Sequence, residues 1–199
     1  MTDALSKDIH WNSKLEEYFA STGEKSHCYS WLHKKSEERF SNITTFIDLP
    51  VIILGVLNGA VSVGSKSLFG ENPYAPVGVG IIALITGILN TIGTYFSWSR
   101  RAEAHKIASI QYAKLYHFLS IEMSLPRDER MAPSDLLKYT QEQYDRMSEI
   151  SPLIPPQIIE EFKTKFSSIT DISKPEETNG LHAIHIFDAT PESQSSEKE

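Results

Sequence analysis

Histidines are the residues of this sequence whose chemistry would first suggest a site. His182-x-x-His185 has the spacing of a metal-binding pair, but neither a cysteine nor a carboxylate stands in register to complete a zinc site. His105 and His117 do not share a helix face closely, so they are predicted to be packed or interfacial rather than a proton relay. The sequence has no glycine-rich phosphate loop, Cys-x-x-Cys pair or nucleophile elbow. It therefore predicts no catalytic residue, no metal, no cofactor and no enzymatic activity.

Two amide side chains stand in otherwise apolar surroundings, Asn58 and Asn90. An amide without a partner is costly in hydrocarbon, so each should face a neighbouring helix or a wet cavity. Two roles stay open: a hydrogen bond between helices of one chain, or the lining of a pore through a ring of copies. In the second case the predicted lining residues are Asn58, Ser62, Thr86, Asn90 and Thr91. The absence of a central charge disfavours a voltage sensor or a proton pump.

The elements that must position these amides are two uncharged stretches, Leu49 to Ser65 and Asn72 to Ser99. The chain as a whole is polar, with a mean hydropathy of -0.27 and a net charge of -7. Its charged residues are therefore concentrated outside these two stretches. A helix needs about 20 apolar residues to cross roughly 30 Å of hydrocarbon. We predict an all-α membrane protein with a two-helix transmembrane hairpin. Its first apolar segment covers about residues 47–65 and its second covers residues 75–98.

Basic residues flank this predicted hairpin on one side. Lys34, Lys35 and Arg39 precede the first apolar segment, and Arg100 and Arg101 follow the second. The connecting loop, residues 66–74, offers one lysine against one glutamate. The positive-inside rule then predicts a two-pass protein with both termini in the cytosol. Residues 1–10 contain no apolar signal region, so the spans themselves are expected to direct insertion.

Glycines recur at helical spacing within both apolar segments. Gly55 and Gly59 are four residues apart, and Gly80 and Gly87 are seven residues apart. Small residues at such spacing let helix backbones approach closely in a membrane. We predict that these four glycines lie at helix-packing positions.

The regions outside the hairpin are predicted to be cytosolic and to fall into further parts. Residues 1–23 form an amphipathic helical segment that ends at Thr22-Gly23, and residues 24–125 hold a helix, the hairpin and a long helix. Residues 126–170 form a helical extension that begins near Pro133 and restarts at Pro156. Residues 171–199 form a disordered acidic tail, which carries -5 of the net charge of -7.

Three features of the long helices are predicted in detail. Pro50 should make the first span kink or restart near Asp48, which would then cap it. The second span should continue as one helix from Pro76 to Met123, because no helix breaker intervenes before Pro126. Its cytosolic half carries a stripe of mostly apolar residues: Ala104, Ala108, Tyr112, Leu115, Leu119 and Met123. This stripe must be covered either by the helix before the first span or by other subunits.

Four stretches together resemble the SLATT superfamily of two-transmembrane domains. They are YSWLHKKSEERF, DLPVIILGVLNGAVSVG, APVGVGIIALITGILNTIGTYF and WSRRAEAHKIASIQYAKLYHFLSIEMSL. The later stretch RDERMAPSDLLKYTQEQYDRMSEISPLIPPQIIEEFKTKF is similar to a version in large DNA viruses and eukaryotic microbes. The resemblance covers roughly residues 25–168. It implies an oligomeric membrane effector that forms pores in response to a partner sensor, although this chain has no fused sensor or nucleotide-processing domain.

The sequence is therefore compatible with two functions. The first is an oligomeric two-span protein that forms pores or perturbs the membrane. The alternative is a membrane-anchored scaffold, such as a viral membrane component, that presents its cytosolic helices or tail to a protein partner. Both predict the lipid bilayer and further copies of the chain as partners, and neither predicts a nucleic acid.

Overall fold

The computed structural model describes residues 9–70 and 72–181, and every regular element within these ranges is a helix. The predicted all-α fold is therefore confirmed for the described residues. The helices in chain order are α1 (Ser13–Phe69), α2 (Ala75–Phe96), α3 (Trp98–Ser124), α4 (Pro133–Ile150), α5 (Pro156–Lys165) and α6 (Glu176–Asn179).

Helix α1 is a single 57-residue helix, although breaks were predicted at Thr22-Gly23 and near Pro50. The predicted end at Thr22-Gly23 and the predicted restart near Pro50 are therefore wrong. A side chain at Gly23 would meet Leu119 of α3 at 3.5 Å, so this glycine lies where two helices approach closely, and tertiary packing offsets its weak helix propensity.

Pro50 lies inside α1, where its missing N–H removes one hydrogen bond from the ladder. Close by, Ile47 of α1 lies 3.6 Å from the position of a Cβ at Gly93 of α2, so packing between the helices supports α1 beside the proline. Asp48 is consequently an interior residue of α1 and not the N-cap that the sequence predicted.

The predicted continuous helix from Pro76 to Met123 is interrupted at one residue, Ser97, whose φ is 51°. The Ser97 N–H still donates to the Gly93 carbonyl at 3.1 Å, and the Arg101 N–H donates to the Ser97 carbonyl at 3.1 Å. A non-glycine residue in the left-handed region costs on the order of 1 kcal/mol. The apolar helix α2 and the polar helix α3 are thus two elements joined at one strained residue.

Helix α3 packs antiparallel on the polar half of α1. The Ser109 hydroxyl donates to the Ser30 carbonyl at 3.0 Å, and further from the apolar segments His27 stacks on Tyr116 with ring centroids 4.2 Å apart. The helix before the first span thus covers the α3 stripe, as one of the two sequence alternatives proposed. The buried residues of α3 are Ala102, His105, Ala108, Tyr112, Leu115 and Leu119.

Helices α4 and α5 complete two adjoining cores on this helix pair. Both begin with proline at the first turn, as predicted, because a residue without an N–H is tolerated there. Helix α4 closes the first core, which contains Phe19, Tyr112, Leu115, Leu119, Leu136 and Met147. Helix α5 closes the second core, which contains Cys28, Leu32, Ile158 and Phe162.

The first residues of the predicted disordered tail are packed against the bundle. The Ser173 N–H donates to a Glu24 carboxylate oxygen at 2.6 Å, and the Tyr29 hydroxyl donates to Glu177 at 2.7 Å. Pro175 and Thr178 are buried. Residues 173–178 are therefore packed rather than disordered, because the net charge of a segment does not show which of its side chains find partners. Residues 182–199 lie outside the described residues.

An ion cluster holds the start of α1 against the turn between α3 and α4. Glu16 accepts two hydrogen bonds from Arg127, at 2.8 and 2.9 Å, and one from Arg130 at 2.6 Å. Arg130 also donates to the Leu125 carbonyl at 2.8 Å and lies 5.0 Å from the centre of the Trp11 ring. The hydrogen bonds from Arg127 and Arg130 lower the pKa of Glu16 to about 2.

We expect Arg130→Ala to lower the free energy of unfolding by about 1 to 3 kcal/mol, because several charge-assisted hydrogen bonds are lost together. Thermal unfolding of the purified protein in detergent measures this. Lys14→Ala is the control: Lys14 pairs with Glu17 at 3.6 Å with both side chains mostly exposed, so its loss should cost at most about 0.5 kcal/mol. Equal effects of the two substitutions would show that the cluster does not stabilise the bundle.

Candidate functional site

Two helices of the described chain are long and apolar enough to cross a membrane. No residue from Ile47 to Gly64 is buried, and none from Ala75 to Trp98 is buried. The side chains that these stretches expose include Val63, 93% exposed, and Val56, 67% exposed. The apolar segments thus differ from the core helices of a water-soluble protein, whose apolar side chains are covered.

The apolar parts of α1 and α2 lie side by side, but not through the predicted glycines. Apart from the adjacent backbone of the same helix, no atom of the described residues lies within 4 Å of the positions that a Cβ would take at Gly55, Gly59, Gly80 and Gly87. Gly93 makes the close contact instead, with Ile47 at 3.6 Å and Asp48 at 3.8 Å. The prediction that the four glycines pack helices is not met within one chain. Glycine spacing along one helix could not show which of its faces meets the neighbour.

The predicted polar residues occupy different environments. The Asn58 Oδ1 is buried and has no hydrogen-bond partner among the described residues, so it does not make with them the hydrogen bond between helices that was one alternative. Asn90 and Ser62 are exposed. The Thr86 and Thr91 hydroxyls donate at 2.8 Å to backbone carbonyls one turn earlier in α2, which satisfies the hydrogen atom of each hydroxyl within the helix.

A stripe of small and polar residues runs along the exposed face of α2. Its members follow one another at steps of three and four residues, as on the seam of two packed helices, and all are exposed. We call it the α2 stripe: Gly80, Ala83, Gly87, Asn90 and Thr94. Helix α1 does not cover it. The stripe brings the exposed amide Asn90 and two predicted packing glycines onto one open face.

The predicted basic residues lie at a similar height along the antiparallel helices α1 and α3. His33 contacts His105, and Ile47 is close to Gly93, so residues 34–39 and 100–101 lie between these two contacts. Lys34, Arg39, Arg100 and Arg101 are exposed. Lys35 is half-buried and pairs with Glu38 at 2.6 Å. We call the four exposed side chains the basic collar. It lies next to the beginning of the first apolar segment and the end of the second.

A buried histidine pair lies just beyond the basic collar, and the sequence did not reveal it. The Nδ1 atoms of His33 and His105 are 2.8 Å apart, so one ring donates and the other accepts through opposite tautomers. Phe40 stacks on His105 and Tyr112 stacks on His33. Both histidines are 1% exposed. His105 is thus a packed histidine, as predicted, whereas its partner lies far away in the sequence and had no local signal.

Burial lowers the pKa of both histidines, because the charged form loses its hydration. The pKa of His33 falls to about 3 through burial and through the neighbouring His105, and the pKa of His105 falls to about 4 through burial. The pair is therefore neutral at neutral pH. His117 is exposed, and His182 and His185 lie outside the described residues. Among the described residues, no group of three metal-binding side chains comes together.

No family model, curated protein or solved structure matches the chain significantly.

Proposed function

We propose that this chain is a two-pass integral membrane protein with both termini in the cytosol. Two observations support insertion: both apolar segments are uncovered within the chain, and each is long enough to cross the bilayer. The basic collar supports the orientation, since lysine and arginine next to spans favour the cytosolic side. The packed helices α3 to α6 would then form a cytosolic bundle.

We further propose that copies of the chain associate through the α2 stripe. The observation that carries this proposal is the exposure of Asn90 within the second apolar segment. An amide facing lipid is costly, and a neighbouring copy inserted in the same orientation brings an identical stripe to the same depth. Gly80 and Gly87 have open space around them, so a second helix can approach closely there.

Pore formation is the activity that this assembly supports best. A ring of copies that keeps Gly80 and Gly87 in the contact between neighbouring helices and turns the Asn90 side of the α2 stripe inward would line a path with Asn90. The resemblance to the SLATT superfamily implies the same activity. The α2 segment from Gly80 to Thr94 contains no charged residue. Forming the pore would therefore not place a charged side chain inside the membrane.

The test combines particle mass with ion flux through liposomes containing the purified protein. We expect wild type to form a particle of four or more copies and to release a trapped ion. Asn90→Leu should reduce the flux strongly, because each helix contact loses about 1 kcal/mol and the path loses its amides. Ile85→Leu is the matched control, since Ile85 is 47% exposed on the same helix and lies off the stripe.

Each outcome decides between the proposals. A particle of one or two copies would exclude a central pore. A ring with no leak in the wild type, or a leak unchanged by Asn90→Leu, would exclude this path through the α2 stripe.

A membrane-anchored scaffold is the second candidate, and the outer face of α3 favours it. Ile107, Ile110 and Ile121 are 46%, 47% and 63% exposed although they belong to the polar part of the chain. Together they give one side of α3 an apolar surface that a bound protein would cover. A non-conducting particle would make this scaffold role the better interpretation.

A further inference from the structure

The loop between α4 and α5, residues 151–155, has an apolar surface on the polar half of the protein. Leu153 is 95% exposed and Ile150, the last residue of α4, is 61% exposed. No residue from Ile150 to Ile159 is charged. Loops that face water normally carry polar residues, so Leu153 and Ile150 together form a surface that favours an apolar neighbour.

The packing of α4 places the beginning of this loop toward the apolar segments. Tyr139 contacts Phe118, and Tyr144 contacts Tyr112, which lies earlier on α3. Helix α4 is therefore antiparallel to α3. Its last residue, Ile150, points back toward Trp98, where α3 begins next to the second apolar segment.

The packing of α5 places the end of the loop at the same level. Ile158, in the first turn of α5, lines a shallow cleft together with Glu161 of α5 and with Lys35, Glu38, Arg39, Asn42 and Ile43 of α1. Ile43 precedes Ile47, the first residue of the first apolar segment, by one helical turn, which is about 6 Å. The headgroup region extends about 5 to 7 Å beyond the hydrocarbon on each side of a bilayer. The cleft therefore reaches the depth of the headgroups at Ile43 if residues 47–65 cross the membrane, and the loop leads directly into the helix that lines it.

We propose that this loop is a third membrane contact, which inserts Leu153 and Ile150 into the cytosolic headgroup layer of an anionic bilayer. The proposal rests on the membrane insertion proposed above and deepens it. The basic collar lies at the same level and supplies charge complementary to anionic headgroups. Pro152 and Pro155 restrict the loop, so little conformational entropy is lost on insertion.

The bilayer, rather than a protein partner, is the occupant that these observations favour. The loop, the basic collar and the adjoining ends of the apolar segments would all lie at a similar height along the helix axes. One flat bilayer surface would therefore contact all three. By contrast, the isoleucines of α3 extend away from this level toward Ser124.

The chain's single cysteine, Cys28, makes a labelling experiment direct. In a Cys28→Ala background, a nitroxide is attached to Leu153→Cys, and the protein is placed in vesicles of phosphatidylcholine and phosphatidylglycerol. Collision rates with oxygen and with a water-soluble nickel chelate then report depth. Ile121→Cys is the matched control, because Ile121 is exposed at the far end of α3. Ile85→Cys reports the second apolar segment.

We expect the Leu153 label to collide several-fold less with the nickel chelate than the Ile121 label, and to remain accessible to oxygen. Equal access of the chelate to both labels would overturn the proposal. Protection of the Leu153 label from both reagents would also overturn it, since that pattern indicates a protein contact. A water-exposed label at Ile85 would instead refute the membrane insertion itself, so the two failures are distinguishable.

A second measurement covers the case in which the Cys28→Ala background does not fold. Leu153→Trp in the otherwise native chain should lose more fluorescence than wild type in vesicles containing brominated lipids. The native tryptophans are common to both proteins, so the difference reports the new residue. No additional quenching would contradict insertion of the loop.

Discussion

Tyr112→Ala is expected to lower the free energy of unfolding of the bundle by about 3 to 5 kcal/mol, the range for truncating a buried large aromatic residue. Tyr112 is 2% exposed and joins three helices. Its ring lies 5.0 Å from Tyr29 and 5.6 Å from His33 of α1, and 6.3 Å from Tyr144 of α4. Its removal would leave a cavity where these helices meet, and thermal unfolding in detergent would measure the loss.

Ile110→Ala is the control for this substitution. Ile110 belongs to the same helix but is 47% exposed, so its truncation should leave no cavity and cost well under about 1 kcal/mol. Intact secondary structure with an unchanged melting temperature for Tyr112→Ala would contradict the packing of α1 against α3. A similar loss for both variants would show that α3 is uniformly sensitive instead.

Acidification from pH 7 to pH 5 is expected to destabilise the bundle by about 2 to 4 kcal/mol through the His33–His105 pair. The pKa of His33 falls to about 3 and that of His105 to about 4 in the folded protein, against 6.5 for an ordinary histidine. Between these values the unfolded chain binds more protons than the folded chain. The stabilising contribution is therefore fully present above pH 6.5 and is lost as the pH falls toward the folded-state values.

The groups that surround the pair do not offset its charge. Tyr29, Phe40 and Tyr112 contact the two rings, and no carboxylate is hydrogen-bonded to either ring within the described residues. Glu16, whose pKa falls to about 2, loses its contribution only below pH 4.5. The pH range from 7 to 5 therefore isolates the histidines from this carboxylate.

Variants of the pair test this acid sensitivity. His33→Gln combined with His105→Gln should remove most of the slope of stability against pH between 5 and 7, whatever its effect at pH 7. His117→Gln is the control, because His117 is exposed on α3 and should leave the slope unchanged. A slope that persists in the double variant would assign the acid sensitivity to other groups.

Much of the helical outline was predictable because its signals are local. Pro133 and Pro156 begin helices since proline fits the first turn, and Pro126 follows the end of α3 because proline cannot continue a helix. The errors share a different cause. Gly23 and Pro50 have low intrinsic helix propensity, but packing by α3 and α2 supports the helix at these positions.

The candidate site divides in the same way. Composition identified Asn58 and Asn90 as costly polar groups, and charge distribution identified the basic collar. Neither showed that Asn58 Oδ1 is buried without a partner while Asn90 lies on an open face. The difference depends on which side of each helix meets the other, and that side is set at Gly93 rather than at the regularly spaced glycines.

The sequence by itself determined the helical class and the two apolar segments, because hydrophobic length and charge are properties of consecutive residues. Only the tertiary structure decided that His33 meets His105, that α6 packs on Tyr29, and that Ile158 of α5 lies beside Arg39 of α1. These placements join residues far apart in the chain. They follow from the antiparallel packing of α1 and α3 and from the return of α4 toward the apolar segments, which no local pattern specifies.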